Sequence, residues 1–254
     1  MDENEFSGRV AWVTGGGGGI GGAVTAALLA RGATVYCADI VSPLVPTGAD
    51  PTRFRPVGLD VTKRAQVHRV LDEIVATAGR LDLLVNVAGV VSFGSAESLA
   101  EEEWDRVLDV NLKGTFLCCQ AAIDPMRRNG YGRIVNVGSV VAKNGGNARP
   151  WLDPSEQERA GNVAYGVSKA GVHALTHFLS KELARAGVTV NAIAPGPIAT
   201  GMTADFPSAL RDLIPVGRMG RLDDVVRGVM FFASVDNGFV NGEVMDVNGG
   251  MWCD

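Results

Sequence analysis

The 254-residue chain has little with which to hold nucleic acid, a membrane or a metal. Lys and Arg number 23 against 28 Asp and Glu, a formal net charge of −5 with the two signs interspersed, so no cationic stripe exists to follow a phosphate backbone. No uninterrupted apolar run reaches the roughly 20 residues of a membrane span. The opening residues, MDENEFSGRV, lack the basic start and apolar stretch of a secretory signal, and a cytoplasmic protein is expected. The four cysteines are few and badly spaced for a disulfide framework or a zinc site: Cys37 lies in an apolar run, Cys118 and Cys119 are adjacent, and Cys253 is at the tail. His68, His173 and His177 form no ligand-like group with carboxylates and read as helix-surface or packing residues, so no metal is expected. The chain is rich instead in glycine, with 33 residues, and in apolar residues, at 46%. That is enough to fill the core of one domain spanning 1–254.

Short apolar runs alternate with helical periodicity. Arg9–Thr14, Thr34–Asp39, Phe54–Leu59, Leu81–Val87, Arg133–Val137, Val188–Ala194 and Glu243–Val247 read as buried strands. Val67, Val70, Leu71, Ile74, Val75 and Ala78 mark one face of a helix. Further helical patterns cover about Ile20–Arg31, Leu99–Met126, Ala164–Ala186 and Leu222–Ala233. Strand and helix in alternation predict an α/β fold: a single Rossmann-type doubly wound domain whose parallel sheet of about seven strands carries helices on both faces. One crossover departs from this pattern. Pro43, Pro46 and Pro51 follow Asp39, and each removes an amide donor, so a loop or short turn is expected there.

The glycines of TGGGGGIGG begin where the first strand ends and run into a helix. Such a turn lets backbone amides and the positive end of a helix dipole meet a pyrophosphate. It is no P-loop, because Gly22 and Ala23 follow where Lys and Ser or Thr would stand. Asp39 ends the second strand, where an acid accepts hydrogen bonds from an adenosine ribose and repels a 2′-phosphate. Neither Ile40 nor Gly16 to Gly19 supplies a compensating cation, so NAD is the expected cofactor. In YGVSK, Tyr165 and Lys169 are four apart and share a helix face. An ammonium beside a phenol favours phenolate, which suits Tyr165 to proton transfer at a carbonyl oxygen.

These features stand in order with others: LDVT at Leu59–Thr62, NVAG at Asn86–Gly89, NLKG at Asn111–Gly114, VGS ending at Ser139, and PGPIAT at Pro195–Thr200. Together, over about Gly8 to Gly250, they resemble the classical short-chain dehydrogenase/reductase family. The resemblance implies that Tyr165 is the general acid/base and that Lys169 lowers its pKa while binding nicotinamide-ribose hydroxyls. Ser139 would hydrogen-bond the reacting oxygen, and Asn111 would hold a water linking Lys169 to solvent. Gly15, Gly19, Ile20, Gly21 and Asp39 would hold the adenosine diphosphate, Asp60 and Val61 the adenine, and Asn86, Ala88 and Gly89 the adenosine side. Pro195, Gly196, Ile198 and Thr200 would border the carboxamide. Asn86 has an equal claim as a brace between strands. A homo-oligomer, with a tetramer favoured, is implied through the long helices and the last strand. Val87 departs from the family by standing where a second asparagine is common.

The interval between Ser139 and Tyr165 is about twice the family's usual one. The excess, 145–162, reads locally as a helical turn over Pro154–Ala160, with Asp153 as N-cap, Glu156 reaching back and Gly161 beyond its end. It is either a lid that presents Trp151 and Arg149 to substrate or a structural elaboration. A second wall, 201–220, offers Met202, Phe206, Leu210, Leu213 and Ile214. The expected activity is hydride transfer between NAD(H) and a small to medium secondary alcohol or ketone. The alternatives are a 3-oxoacyl-thioester-type reductase of the same family and a non-catalytic dinucleotide-binding regulator. A serine hydrolase is disfavoured, since Gly138-Ser139 lacks the G-x-S-x-G elbow.

Overall fold

The computed structural model describes residues 4–146, 162–201 and 211–253. Seven strands, β1 (Val10–Thr14), β2 (Thr34–Asp39), β3 (Phe54–Gly58), β4 (Leu83–Asn86), β5 (Gly132–Val137), β6 (Val188–Pro195) and β7 (Val244–Val247), form one parallel sheet in the order β3-β2-β1-β4-β5-β6-β7. Every residue of β1, β4, β5 and β6 is buried, the polar Arg133, Asn136, Thr189 and Asn191 included, as a sheet covered on both faces requires.

The helices divide between the two faces. On one lie α2 (Arg64–Ala78), α4 (Thr115–Asn129) and α6 (Val163–Leu183), whose apolar residues pack with Trp12, Tyr36, Leu84 and Ile134. On the other, α1 (Gly19–Leu29) and α7 (Leu222–Ala233) pack with Val13, Val35, Val85 and Val135. Successive strand residues thus serve opposite cores, as the pleat requires. The register carries one row across the sheet, with Tyr36 beside Trp12, Trp12 beside Leu84, Leu84 beside Ile134 and Ile134 beside Val190. As the prolines suggested, residues 40–53 join β2 to β3 without a helix.

Three features differ from the periodicity. The single helix expected over Leu99–Met126 is instead α3 (Glu101–Leu108), a π-helical turn (Asp109–Gly114) and then α4. A single wider turn leaves no residue-type signature of its own, and a periodicity read over many residues does not locate it. A four-residue helix, α5 (Val141–Asn144), follows the sheet's fifth strand and is too short to show periodicity. The fourth strand is also shorter at both ends than expected.

Candidate active site

The site lies along the carboxyl ends of the strands, where β1 and β4 are neighbours but their following connections run to opposite faces. This is the switch point at which open α/β sheets bind ligands. The glycine turn there is shaped by backbone contact. A Cβ on Gly15, whose φ is 65°, would stand 2.6 Å from the Ala88 amide nitrogen, and one on Gly21 would strike the Gly15 carbonyl. Val87 and Ala88 therefore cross directly against the turn. The Thr14 hydroxyl fastens them by accepting from the amides of Val87 and Ala88 at 3.2 and 3.3 Å.

Beyond Gly18 and Gly19 there is open space for a Cβ, and no side chain caps α1 or places an acid in its first turn. The positive end of the helix is left to an anion, and the residues present fit a dinucleotide pyrophosphate. Ile20 is half-buried against the α1 face of the core. Asp39 Oδ2 accepts from the Gly17 amide at 2.9 Å and Oδ1 from the Ile40 amide at 2.7 Å. The carboxylate is thereby fixed beside the turn with lone pairs to spare for hydroxyl donors.

The two residues expected at the adenine each have partners within the chain. Asp60 Oδ1 accepts from the amide and hydroxyl of Thr62 at 2.9 and 2.7 Å. Burial opposes its ionisation, but these bonds and Lys63 outweigh it and hold the carboxyl below its usual range. Val61 is buried against Gly114 of the π-helical turn. Asn86 donates to Asn136 Oδ1 at 2.9 Å and to Cys119 Sγ at 3.2 Å, the geometry of a brace between β4, β5 and α4.

The four residues expected to act together do gather. Lys169 is buried and donates from Nζ to the Val137 carbonyl at 2.7 Å, and its Nζ stands 5.9 Å from the centre of the Tyr165 ring. Burial pulls its pKa down to about 8. Burial raises the Tyr165 pKa, while a side-chain hydrogen bond with Ser139 opposes the rise. Ser139 Oγ also accepts from the Val141 amide at 3.2 Å, so α5 exists beside the serine it orients. Asn111, on the π-helical turn, donates to the Val90 carbonyl and the Ser168 hydroxyl, each at 2.9 Å, and accepts from the Val90 amide at 2.8 Å. Gly89 separates Asn111 from Lys169: a Cβ there would lie 3.2 Å from Asn111 Oδ1 and 3.4 Å from Lys169 Nζ.

The PGPIAT loop closes the far side. The Pro195 carbonyl accepts from the Val140 amide at 2.9 Å, and Gly196 presses on the Asn248 backbone. Ile198 is buried and paired by backbone with Gly220, which joins the two ends of the 201–220 wall; Thr200 is half-buried at its start. Within that wall Ile214 is buried under Gly249, whereas Leu213 is exposed. Arg149, Trp151, Met202, Phe206, Leu210 and the turn expected over Pro154–Ala160 lie outside the described residues.

Sequence reasoning passed over two groups here. Lys143 of α5 donates to Asp246 Oδ2 and to the Val244 carbonyl, both at 3.0 Å, tying the serine turn to β7. His173 sits against Gly138 and accepts at Nε2 from the Ser139 amide at 3.4 Å. Its place four residues after Lys169 was the available signal. The thiols of Cys118 and Cys119 are buried and pushed up, that of Cys119 to about 12, by desolvation first. Among the described residues there is no cluster of ligands for a metal, and no helix is long and apolar enough to cross a membrane.

Comparison with known proteins gives this arrangement a context. A family model described as Enoyl-(Acyl carrier protein) reductase matches residues 16–252. The chain is 37% identical to a 3-oxoacyl-[acyl-carrier-protein] reductase, FabG, of Thermotoga maritima, over 97% of this chain and 98% of that one. It is 38% identical to the (2S)-[(R)-hydroxy(phenyl)methyl]succinyl-CoA dehydrogenase subunit BbsD of Thauera aromatica, over 95% and 96%. It is 36% identical to a (3R)-3-hydroxyacyl-CoA dehydrogenase of Mus musculus, over 96% of each.

Proposed function

Because the chain belongs to the classical short-chain dehydrogenase/reductase family, oxidoreductases that bind a nicotinamide dinucleotide, we propose that it interconverts a 3-oxoacyl and a 3-hydroxyacyl thioester, using NAD(H). The observation that carries the chemistry is the meeting of Tyr165, Ser139 and Lys169 at one end of the sheet. The names of the three relatives each contain a thioester carrier, acyl carrier protein or CoA. They favour this substrate class over the free secondary alcohol or ketone expected from sequence. The intact side-chain cluster supports turnover rather than a purely regulatory role.

When bound, the nicotinamide supplies or accepts the hydride. The chain's part is to move a proton and hold an oxygen. In the reducing direction Tyr165 Oη gives its proton to the carbonyl oxygen as that oxygen becomes a hydroxyl, and the Ser139 hydroxyl donates to the same oxygen as charge builds on it. The Lys169 ammonium then lies beside the resulting phenolate, where the low-dielectric surroundings magnify its attraction. In the oxidising direction the proton returns to Tyr165 Oη. Asp39, held by two amides, supports NAD over NADP, because a 2′-phosphate would meet an anion there.

Phe178 on α6 is 78% exposed and Phe239 entirely so, as suits a homo-oligomer. Light scattering on the eluting protein would count its copies, and a monomer would dismiss that part of the reading. The activity is tested by following nicotinamide absorbance with acetoacetyl-CoA and 3-hydroxybutyryl-CoA beside a panel of free ketones and secondary alcohols, each with NAD(H) and NADP(H). The thioesters with NAD(H) should lead in kcat/KM by about tenfold or more. Equal or better turnover of the free alcohols would return the assignment to the simpler substrate.

A further inference from the structure

Helix α6 meets the end of β5 through a row of polar side chains one turn apart. Tyr165 bonds the Ser139 hydroxyl, Lys169 the Val137 carbonyl, His173 the Ser139 amide, and Thr176 Oγ1 accepts from Asn136 Nδ2 at 3.0 Å. Ser139 is therefore held at two points by one helix, its hydroxyl by Tyr165 and its main-chain amide by His173. The imidazole lies so close to Gly138 that a Cβ there would overlap Nε2.

We propose that His173 is a positioning residue for the catalytic serine, effective only while its imidazole is neutral. An acceptor at Nε2 requires the proton to be on Nδ1. Protonating Nε2 would set one N–H against another, and the Ser139 amide would lose its partner. The inference rests on the oxidoreductase reading above, since it concerns the serine of that reaction.

The imidazole is open to such a change. A cavity of about 320 Å³ lined by Lys143, His173, His177, Gly242, Glu243 and Val244 adjoins it. Among the described residues, the ionisable groups that line this cavity with it are His177 on α6, Lys143 on α5 and Glu243 beside β7, with Asp246 of β7 paired to Lys143. The cations disfavour imidazolium and the carboxylates favour it, with Lys143 and Asp246 offsetting each other through their 3.0 Å pair. As pH falls through the pKa of His173, turnover should fall with the alignment of Ser139.

The test compares wild type with His173→Gln, whose side-chain oxygen replaces the acceptor without titrating, and His173→Leu, which removes the acceptor. Wild type should show an acidic limb in kcat that His173→Gln lacks. His173→Leu should lose about tenfold in kcat across the range, with KM for NADH unchanged. NADH binding, read from quenching of tryptophan fluorescence, checks that each variant is folded. If His173→Leu fails that check, the Gln comparison decides. An acidic limb retained in His173→Gln, or wild-type kcat in folded His173→Leu, overturns the proposal. Nitrogen NMR of the imidazole gives a readout independent of turnover: the Nδ1–H tautomer supports the proposal and the Nε2–H tautomer overturns it. Absence of turnover in wild type on every substrate would instead sink the functional reading.

Discussion

The two halves of the site are made in different ways. Around the glycine turn, between β1 and β2, the shape comes from missing side chains: Gly15 lies against Ala88, Gly21 against Gly15, and Gly17 against Asp39. At the end of β5 it comes from side chains that reach, with Tyr165, Lys169, His173 and Thr176 all projecting from α6. Change in the first half should therefore alter what fits and how tightly, whereas change in the second should alter what happens after binding.

The sharpest break in this contrast is Tyr165→Phe. Removing the acid/base hydroxyl should cut kcat by about 10²–10⁴-fold while leaving the NADH dissociation constant within a few-fold, measured by stopped-assay turnover and fluorescence titration. Substantial residual turnover would refute the proton-transfer role.

Asp39→Ser probes the other half. Loss of a charged acceptor and of its repulsion should move the NADH-to-NADPH ratio of kcat/KM toward NADPH by roughly ten- to a hundredfold, with kcat on NADH little altered. An unchanged ratio would remove Asp39 from cofactor selection.

The smallest expected effect is on stability. Burial depresses the Lys169 pKa to about 8, below its ordinary value near 10.4. Between those values the unfolded chain binds more protons than the folded one, so stability rises with pH there; below about 8 the penalty is fully present. Lys169→Met should be more stable than wild type by about 1–2 kcal/mol at neutral pH, after allowing for the lost bond to Val137. Denaturant melts should show that gap closing from pH 8 toward 10.4. A gap independent of pH would mean that the lysine is not depressed.

The same contrast explains what the sequence disclosed. Glycine at Gly15 to Gly19 and the buried runs of β1 and β6 declare themselves in composition, because a close turn and a two-sided sheet permit few residue types. The Tyr165 and Lys169 pair was legible because helix geometry alone puts four-apart residues on one face. His173 continues that row, yet its partner is an amide of a distant strand, and nothing in sequence spacing reveals a main-chain partner. The π-helical turn that carries Asn111 was hidden for a different reason: one wider turn inside a long helix has no residue-type signature of its own. Asn86 shows the limit of motif reading, since the same residue type serves as a ligand contact or, with its amide given to Asn136 and Cys119, as a brace.

Gly146 and Asn162 lie in contact, for a Cβ on Gly146 would be 3.3 Å from Asn162 Oδ1. The two residues that flank 147–161 thus meet, with Ser139 anchored upstream and Tyr165 downstream by bonds between described residues. Closing a longer or shorter excursion across such a gap changes the entropy only slowly, by about 0.6 kcal/mol for each doubling. A change in the length of 147–161 should therefore cost little in closure entropy, and the anchors of Ser139 and Tyr165 described above do not depend on it.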